Sequence, residues 1–315
     1  MNEFISTTKS GQLQPVTHDA MCAWLAFIDV SPDTARTYAA SLRQLARYLH
    51  ARGIKHPTRE DLRAYRDELR TRCAPATIQI YITAARLFFK WTAESGIYPN
   101  IADHLKGAKI SPGHKRDYLT SEQLRAVFAG VDTKSARGCR DLALLALMAC
   151  GGLRDIEIHR ANIGDIQPAG GSAALWIQGK GRDDKADFVK IPQAVERVLL
   201  AYLRTRGSPP PTAPLFVSYS NGHRGERLSR RSISGIVRGY IRAAGLTSSK
   251  LTAHSLRHSA VTLALLGGAS LQEVQQFARH KAISTTQIYA HNLAREENPC
   301  EGLIAAQIFE GKGQA

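Results

Sequence analysis

The 315 residues are 43% hydrophobic and 22% charged, a balance that suits a folded globular chain and excludes a fibrous or largely disordered one. Forty-two Lys and Arg against 27 Asp and Glu leave a formal charge of +15, which makes a polyanion such as nucleic acid the first partner to consider. The excess is spread along the chain, with 15 basic and 10 acidic residues up to position 110 and 27 and 17 beyond it, so no single basic tail accounts for it.

A chain of this length fits two domains. Residues 1–14 read as a polar leader, and the opening Met-Asn-Glu-Phe-Ile-Ser lacks the charged and apolar regions of a signal peptide. No apolar run reaches the roughly 20 residues that span a bilayer. Cys22, Cys73, Cys139, Cys150 and Cys300 are odd in number and form no C-x-x-C pair, which reads as reduced thiols in a cytoplasm. Met21, Trp24, Leu25 and Ile28 recur at helical spacing, and Ser31-Pro32 starts a second helix whose apolar positions are Tyr38, Leu42, Leu45 and Leu49. Thr58 opens a third helix through Leu69, and Pro75 a fourth through Trp91, with Ile78, Ile82, Ala85 and Phe89 on one face. Residues 15–105 therefore read as a helical bundle. Residues 106–117, with Gly107, Lys109, Pro112, Gly113, Lys115 and Arg116, read as a basic interdomain linker.

The second domain, 118–298, opens with the helix start Leu119-Thr120-Ser121-Glu122 and continues into an apolar helix from Asp141 to Cys150, ended by Gly151-Gly152. Ala174–Ile177 and Phe188–Ile191 are short β-prone runs joined by a polar turn, which predicts a hairpin inside a helical domain. Helices resume after Pro192 and again from Ser229, and residues 299–315 form a tail.

Three segments combine Arg, His and Tyr in ways that packing does not require. Gly151-Gly152-Leu153-Arg154-Asp155-Ile156-Glu157 positions Arg154 at a helix opening after a glycine turn. His254-Ser255-Leu256-Arg257-His258 places His254 and Arg257 on one helix face. His254 and His258 also have a spacing that could hold zinc, but the segment offers no carboxylate or cysteine to complete the set, and Arg257 between them opposes a cation. In the third segment, Ser270-Leu271-Gln272-Glu273 starts a helix that ends near His280, and Ser284-Thr285-Thr286-Gln287 starts the one carrying Tyr289.

The ordered set resembles the boxes of the tyrosine recombinase, or phage integrase, family over residues from about 15 to 298. That family has an arginine in a G-L-R-x-x-E box, a lysine on a β-hairpin, an H-x-x-R pair, a further histidine and a tyrosine nine residues on. Here these are Arg154 with Glu157, Lys180 in Gly179-Lys180-Gly181, His254 with Arg257, His280 and Tyr289. One departure is local: where the family has Leu-Gly before its last histidine, this chain has Ala278-Arg279.

The resemblance implies a mainly α fold with a small β-hairpin or sheet, comprising an N-terminal SAM-like core-binding domain and a mixed α/β catalytic domain. It implies site-specific breaking and rejoining of DNA through a 3′-phosphotyrosine on Tyr289, with no metal, ATP or other cofactor. Arg154 and Arg257 would clamp the non-bridging phosphate oxygens, because charge develops there and a planar guanidinium matches it bidentately. His254 and His280 would donate to the same oxygens or manage the nucleophile's proton. Lys180 would protonate the leaving 5′-hydroxyl, with Arg182, Lys185 and Lys190 as competing hairpin cations, and Glu157 would support Arg154.

The implied partners are duplex DNA bearing recombination sites and a homo-tetramer with two protomers per site, with room for an accessory protein. Residues 302–310, with Leu303, Ile304, Ile308 and Phe309, are expected to dock on a neighbouring protomer. An Xer-like enzyme or a compact mobile-element integrase, working at the cytoplasmic nucleoid, fits this description. A type IB topoisomerase-like enzyme and a non-cleaving DNA-binding regulator on the same fold are the other readings; sequence-specific action separates the first, and the presence of Tyr289 and Lys180 argues against the second.

Overall fold

The computed structural model describes residues 18–109, 117–179, 184–296 and 299–310. The chain divides into two compact units, Met1–Pro112 and Gly113–Ala315.

The first unit is built from α1 (His18–Phe27), α2 (Pro32–Ala51), α3 (Arg59–Arg72) and α4 (Pro75–Glu94). The starts of α2 and α3 have local causes. The Ser31 hydroxyl caps α2 by accepting from the Thr34 amide, with Pro32 at the first helical position, where its missing N–H costs nothing. Thr58 and Asp61 exchange hydrogen bonds at the start of α3, the Asp61 carboxylate accepting from the Thr58 amide at 2.7 Å. The expected apolar stripes turn inward: Leu42, Leu45 and Leu49 of α2 meet Ile78, Ile82, Ala85 and Phe89 of α4, while Arg43 and Arg47 face solvent. Trp24 anchors α1 to this core by an edge-on contact with Phe88 at 5.9 Å. Burying aromatic rings of this size supplies a large share of the apolar driving force of a small bundle.

The second unit begins with α5 (Ser121–Ala129), capped reciprocally by Thr120 and Gln123, and α6 (Ala136–Cys150). The sequence places the start of α6 at Asp141; the structure starts it at Ala136, because the Ser135 hydroxyl accepts from the Gly138 amide and caps it there. Residues Ala143–Ala149 are all buried, so α6 is the central element, packed by α8 (Gln193–Arg206) and α10 (Ala253–Leu266). After α7 (Asp155–Arg160) and a single 3-10 turn, the chain forms β1 (Ile166–Ala169), β2 (Ser172–Ile177) and β3 (Asp187–Lys190). These make one antiparallel sheet in the order β1-β2-β3, with Leu175 opposite Ile166 on one side and Val189 on the other. The expected hairpin is therefore two strands of a three-stranded sheet. Residues 180–183 of the loop between β2 and β3, with Lys180 and Arg182, lie outside the described residues, as do the leader and most of the linker expected at 106–117.

The remaining elements are α9 (Arg230–Ala243), α11 (Leu271–Ala278), α12 (Ile283–Glu296) and α13 (Cys300–Ala305), followed by a π-helical turn to Glu310. Leu303, Ile304 and Ile308 are 58%, 56% and 65% exposed, so the end of the chain presents apolar side chains to solvent. Among the described residues, no helix is long and apolar enough to cross a membrane.

Candidate active site

The turn after α6 sets the first functional side chain. Gly152 adopts φ +58°, and its carbonyl accepts from the Arg257 guanidinium of α10 and, at 3.2 Å, from the Arg279 guanidinium. Arg154 then caps α7 through its backbone: its amide donates to Glu157 Oε2 at 2.8 Å, and its Nη1 to Oε1 at 2.7 Å. Glu157 is fully buried, whereas Arg154 keeps a quarter of its side chain open to solvent. A buried carboxylate is tolerable because cations surround it.

From α10, Arg257 is 1% exposed and donates to the carbonyls of Gly152 and Ala278, which ties the first segment to the end of α11. Burial, with Arg154 and Arg279 nearby, pushes this guanidinium down to about 9, opposed by Glu157 and Tyr289, and it stays cationic at neutral pH. His254 lies one turn before it on α10 and His258 directly after it, and the two rings meet edge-on at 4.8 Å. His258 is buried and packs its ring on Tyr289 at 5.1 Å, and no three metal-ligating groups gather among the described residues.

The third segment closes the site. The Ser270–Glu273 capping box starts α11 where the sequence puts it, and Arg279, in the left-handed region at φ 54°, stops it just before His280. The helix carrying Tyr289 starts at Ile283, one residue ahead of Ser284, and the Thr286 side chain is spent on His280 Nδ1 at 2.9 Å. His280 stacks on Tyr289 with ring centroids 6.1 Å apart. Burial first, then Arg257, Arg154, Arg279 and His254, push its imidazole down to about 4. Tyr289 itself is 6% exposed and packs with Val261, Val274 and Ala278.

The structure thus brings Arg154, Glu157, His254, Arg257, His280 and Tyr289 into one cluster of the second unit. Lys180 lies outside the described residues; the strand leading to it ends at Ile177, and the Gly179 carbonyl accepts from Arg160 at 3.2 Å. Among the competing cations, Lys185 is paired with Asp165, and Lys190 is exposed on β3. Sequence reasoning missed His258 as a ring contact of the tyrosine and Thr286 as the partner of His280; the six-residue separation of the latter pair offers no local signal. It also missed the inward course of Arg279.

Such a cluster offers guanidinium donors for a phosphate, a neutral imidazole and a phenol. Residues 117–296 match the Phage integrase family, and residues 19–97 match the Phage integrase N-terminal SAM-like domain. Tyrosine recombinase XerC from Pelobacter propionicus is 30% identical over 268 residues, 84% of this chain and 86% of that protein. The XerH site-specific recombinase bound to palindromic difH substrate, in a post-cleavage complex, superimposes with a TM-score of 0.68 at 23% identity, over 85% of this chain and 80% of that one. A lambda integrase tetramer bound to a Holliday junction gives a TM-score of 0.65 at 17% identity, over 84% and 77%. The two solved structures speak for the fold, while the family match across more than half of the chain speaks for descent: this chain belongs to the phage integrase family, the tyrosine site-specific recombinases.

Proposed function

We propose that the chain cleaves and rejoins duplex DNA at specific sites through a covalent bond between Tyr289 and a 3′-phosphate. The observation that carries this is the stacking of the His280 ring on Tyr289 beside the Arg154–Glu157 ion pair and the Arg257 guanidinium, within a chain of this family. In the proposed step the Tyr289 phenol loses its proton as its oxygen attacks phosphorus. The bond from phosphorus to the 5′-oxygen breaks, and Lys180 protonates the leaving hydroxyl. Charge that builds on the non-bridging oxygens falls to Arg154 and Arg257, with His254 as a further donor. His280 is neutral at pH 7, so it can accept the phenol proton or donate from its N–H. Glu157 supports Arg154. Because the phosphotyrosine keeps the ester energy, a 5′-hydroxyl reseals it, and the scheme uses neither metal nor ATP.

The reading extends to organisation. Residues 15–105 serve as the core-binding domain, 106–117 as a linker and 118–298 as the catalytic domain, so that two basic domains neutralise phosphates on one duplex. Four protomers act on two sites in the cytoplasm, as strand exchange requires, and the exposed Leu303, Ile304 and Ile308 dock on a neighbour. Deletion after Cys300 is then expected to impair recombination more than DNA binding, and equal recombination by the truncated chain would remove the docking role.

The test is covalent trapping. Wild type and Tyr289→Phe are incubated with nicked duplexes of randomised core sequence, denatured, and run on a gel. A shifted protein–DNA band that the variant lacks is expected. Binding without any adduct in the wild type would favour a DNA-binding regulator, and relaxation of supercoiled DNA with no site preference would favour a topoisomerase.

A further inference from the structure

Arg279 stands where the family pattern has a glycine, and its side chain turns into the site. Its backbone is left-handed, a conformation that glycine adopts without steric cost and arginine does not. Its guanidinium nevertheless donates to three acceptors: the Phe277 carbonyl at 2.8 Å, the Gly152 carbonyl at 3.2 Å and Glu157 Oε2 at 3.1 Å. Its Nε is buried with no hydrogen-bond partner among the described residues, so these three contacts hold it in place against an unmet donor.

Two of those acceptors are shared. Glu157 also holds the Arg154 amide and Nη1, and the Gly152 carbonyl also holds Arg257. Without the Arg279 charge, the fully buried Glu157 carboxylate would face Arg154 as its one ion-pair partner among the described residues. In a low dielectric that attraction is strong, and in this chain, whose site is packed around a second guanidinium in place of the family's glycine, it would draw Arg154 away from a substrate phosphate. With Arg279 on Oε2 the carboxylate divides its charge between two guanidiniums, and Arg154 retains positive charge to give to a ligand.

We propose that Arg279 is a positioning residue for strand cleavage, which shares Glu157 with Arg154 and braces the Gly152 carbonyl beside Arg257 so that both donors face the scissile phosphate. This rests on the reading of Arg154 and Arg257 as the phosphate clamp.

The experiment is single-turnover cleavage by the full chain on the duplex recovered from the wild-type adduct, with affinity for the same duplex measured in parallel. R279G is expected to cleave about a hundredfold more slowly at saturating DNA, the scale of a misplaced donor, with its dissociation constant unchanged. R279K is expected to recover part of the rate, because it restores the charge without the fork. The double variant R279G/E157Q is expected to cleave faster than R279G, since neutralising Glu157 releases Arg154; a role in folding alone would make the double variant worse. Wild-type rates in R279G, or a double variant slower than R279G, would overturn the proposal. Should R279G fail to fold, R279K and R279K/E157Q carry the same comparison, with the same ordering expected. Absence of any wild-type adduct would instead sink the cleavage reading, whereas an adduct that forms equally in R279G sinks this proposal alone.

Discussion

His280 and Thr286, six positions apart, are joined by a bond of 2.9 Å between the imidazole Nδ1 and the threonine hydroxyl, and Thr286 is fully buried. This bond fixes the ring and leaves Nε2 as the nitrogen that can serve a substrate. Thr286→Val keeps the shape and removes the partner. Cleavage at saturating DNA is expected to fall by about tenfold or more, with a stability loss of about 1 to 3 kcal/mol for the unmet ring nitrogen. Thr286→Ser, which keeps the hydroxyl, is expected to stay near wild type; equal rates for Val and Ser would show that the bond does not orient the imidazole.

The pH dependence of stability follows from the same histidine. Its folded value of about 4 lies below the ordinary 6.5, so the fold favours the neutral ring. Below pH 6.5 the unfolded chain binds a proton that the folded chain refuses, so stability is complete above 6.5 and is lost as pH falls toward 4. Thermal midpoints of wild type are expected to drop across that window, and His280→Gln is expected to flatten part of the drop. Parallel slopes for the two proteins would mean that His280 protonates equally in both states.

Much of this arrangement was legible because the residues that stop and start helices are also the ones that aim the site. Ser31, Thr58, Thr120 and Ser270 each announce a helix from sequence, and each caps one. The four boxes with described residues come together as their order suggests. What was not legible depends on distant partners. The strand β1, Ile166-Gln167-Pro168-Ala169, is four residues long with a proline and no alternation, and only its pairing to Ser172–Leu175 makes it a strand. The sequence leaves the direction of Arg279 open; its inward course comes from a left-handed backbone and from Glu157, 122 positions away.

A buried ion pair far along α6 from the Arg154 turn gives a stability test separable from chemistry. Arg140 and Asp141 are 4% and 3% exposed; Arg140 donates to Asp141 at 2.6 and 2.8 Å and to the Val217 carbonyl, and the Tyr240 hydroxyl donates to Asp141 at 3.1 Å. Burial, with Asp141 alongside, pushes the Tyr240 phenol up to about 12. Arg140→Met strands the carboxylate, and urea denaturation is expected to show a loss of about 3 to 5 kcal/mol. Replacing both charges in Arg140→Met with Asp141→Leu is expected to recover most of it, with adduct formation by the folded protein unchanged. A single variant as stable as wild type would mean that water reaches the carboxylate.

Gly152 can be separated into its backbone and its carbonyl by comparison with Gly170, because both hold nearly the same φ, +58° and +57°. An added Cβ at Gly170 meets nothing within 4 Å, whereas one at Gly152 meets the Phe277 ring at 3.1 Å. Each alanine substitution carries the left-handed penalty of about 1 to 2 kcal/mol. Only at Gly152 must the neighbour also move, and only there does the carbonyl hold two guanidiniums, those of Arg257 and Arg279. Gly170→Ala is therefore expected to lower the denaturation midpoint and leave the cleavage rate of the folded protein intact. Gly152→Ala is expected to lower both, the rate by about a hundredfold if the clamp shifts by an ångström. If the two variants instead lose the same stability and cleave alike, the Gly152 carbonyl does not set the position of the guanidiniums, and its glycine serves the turn alone.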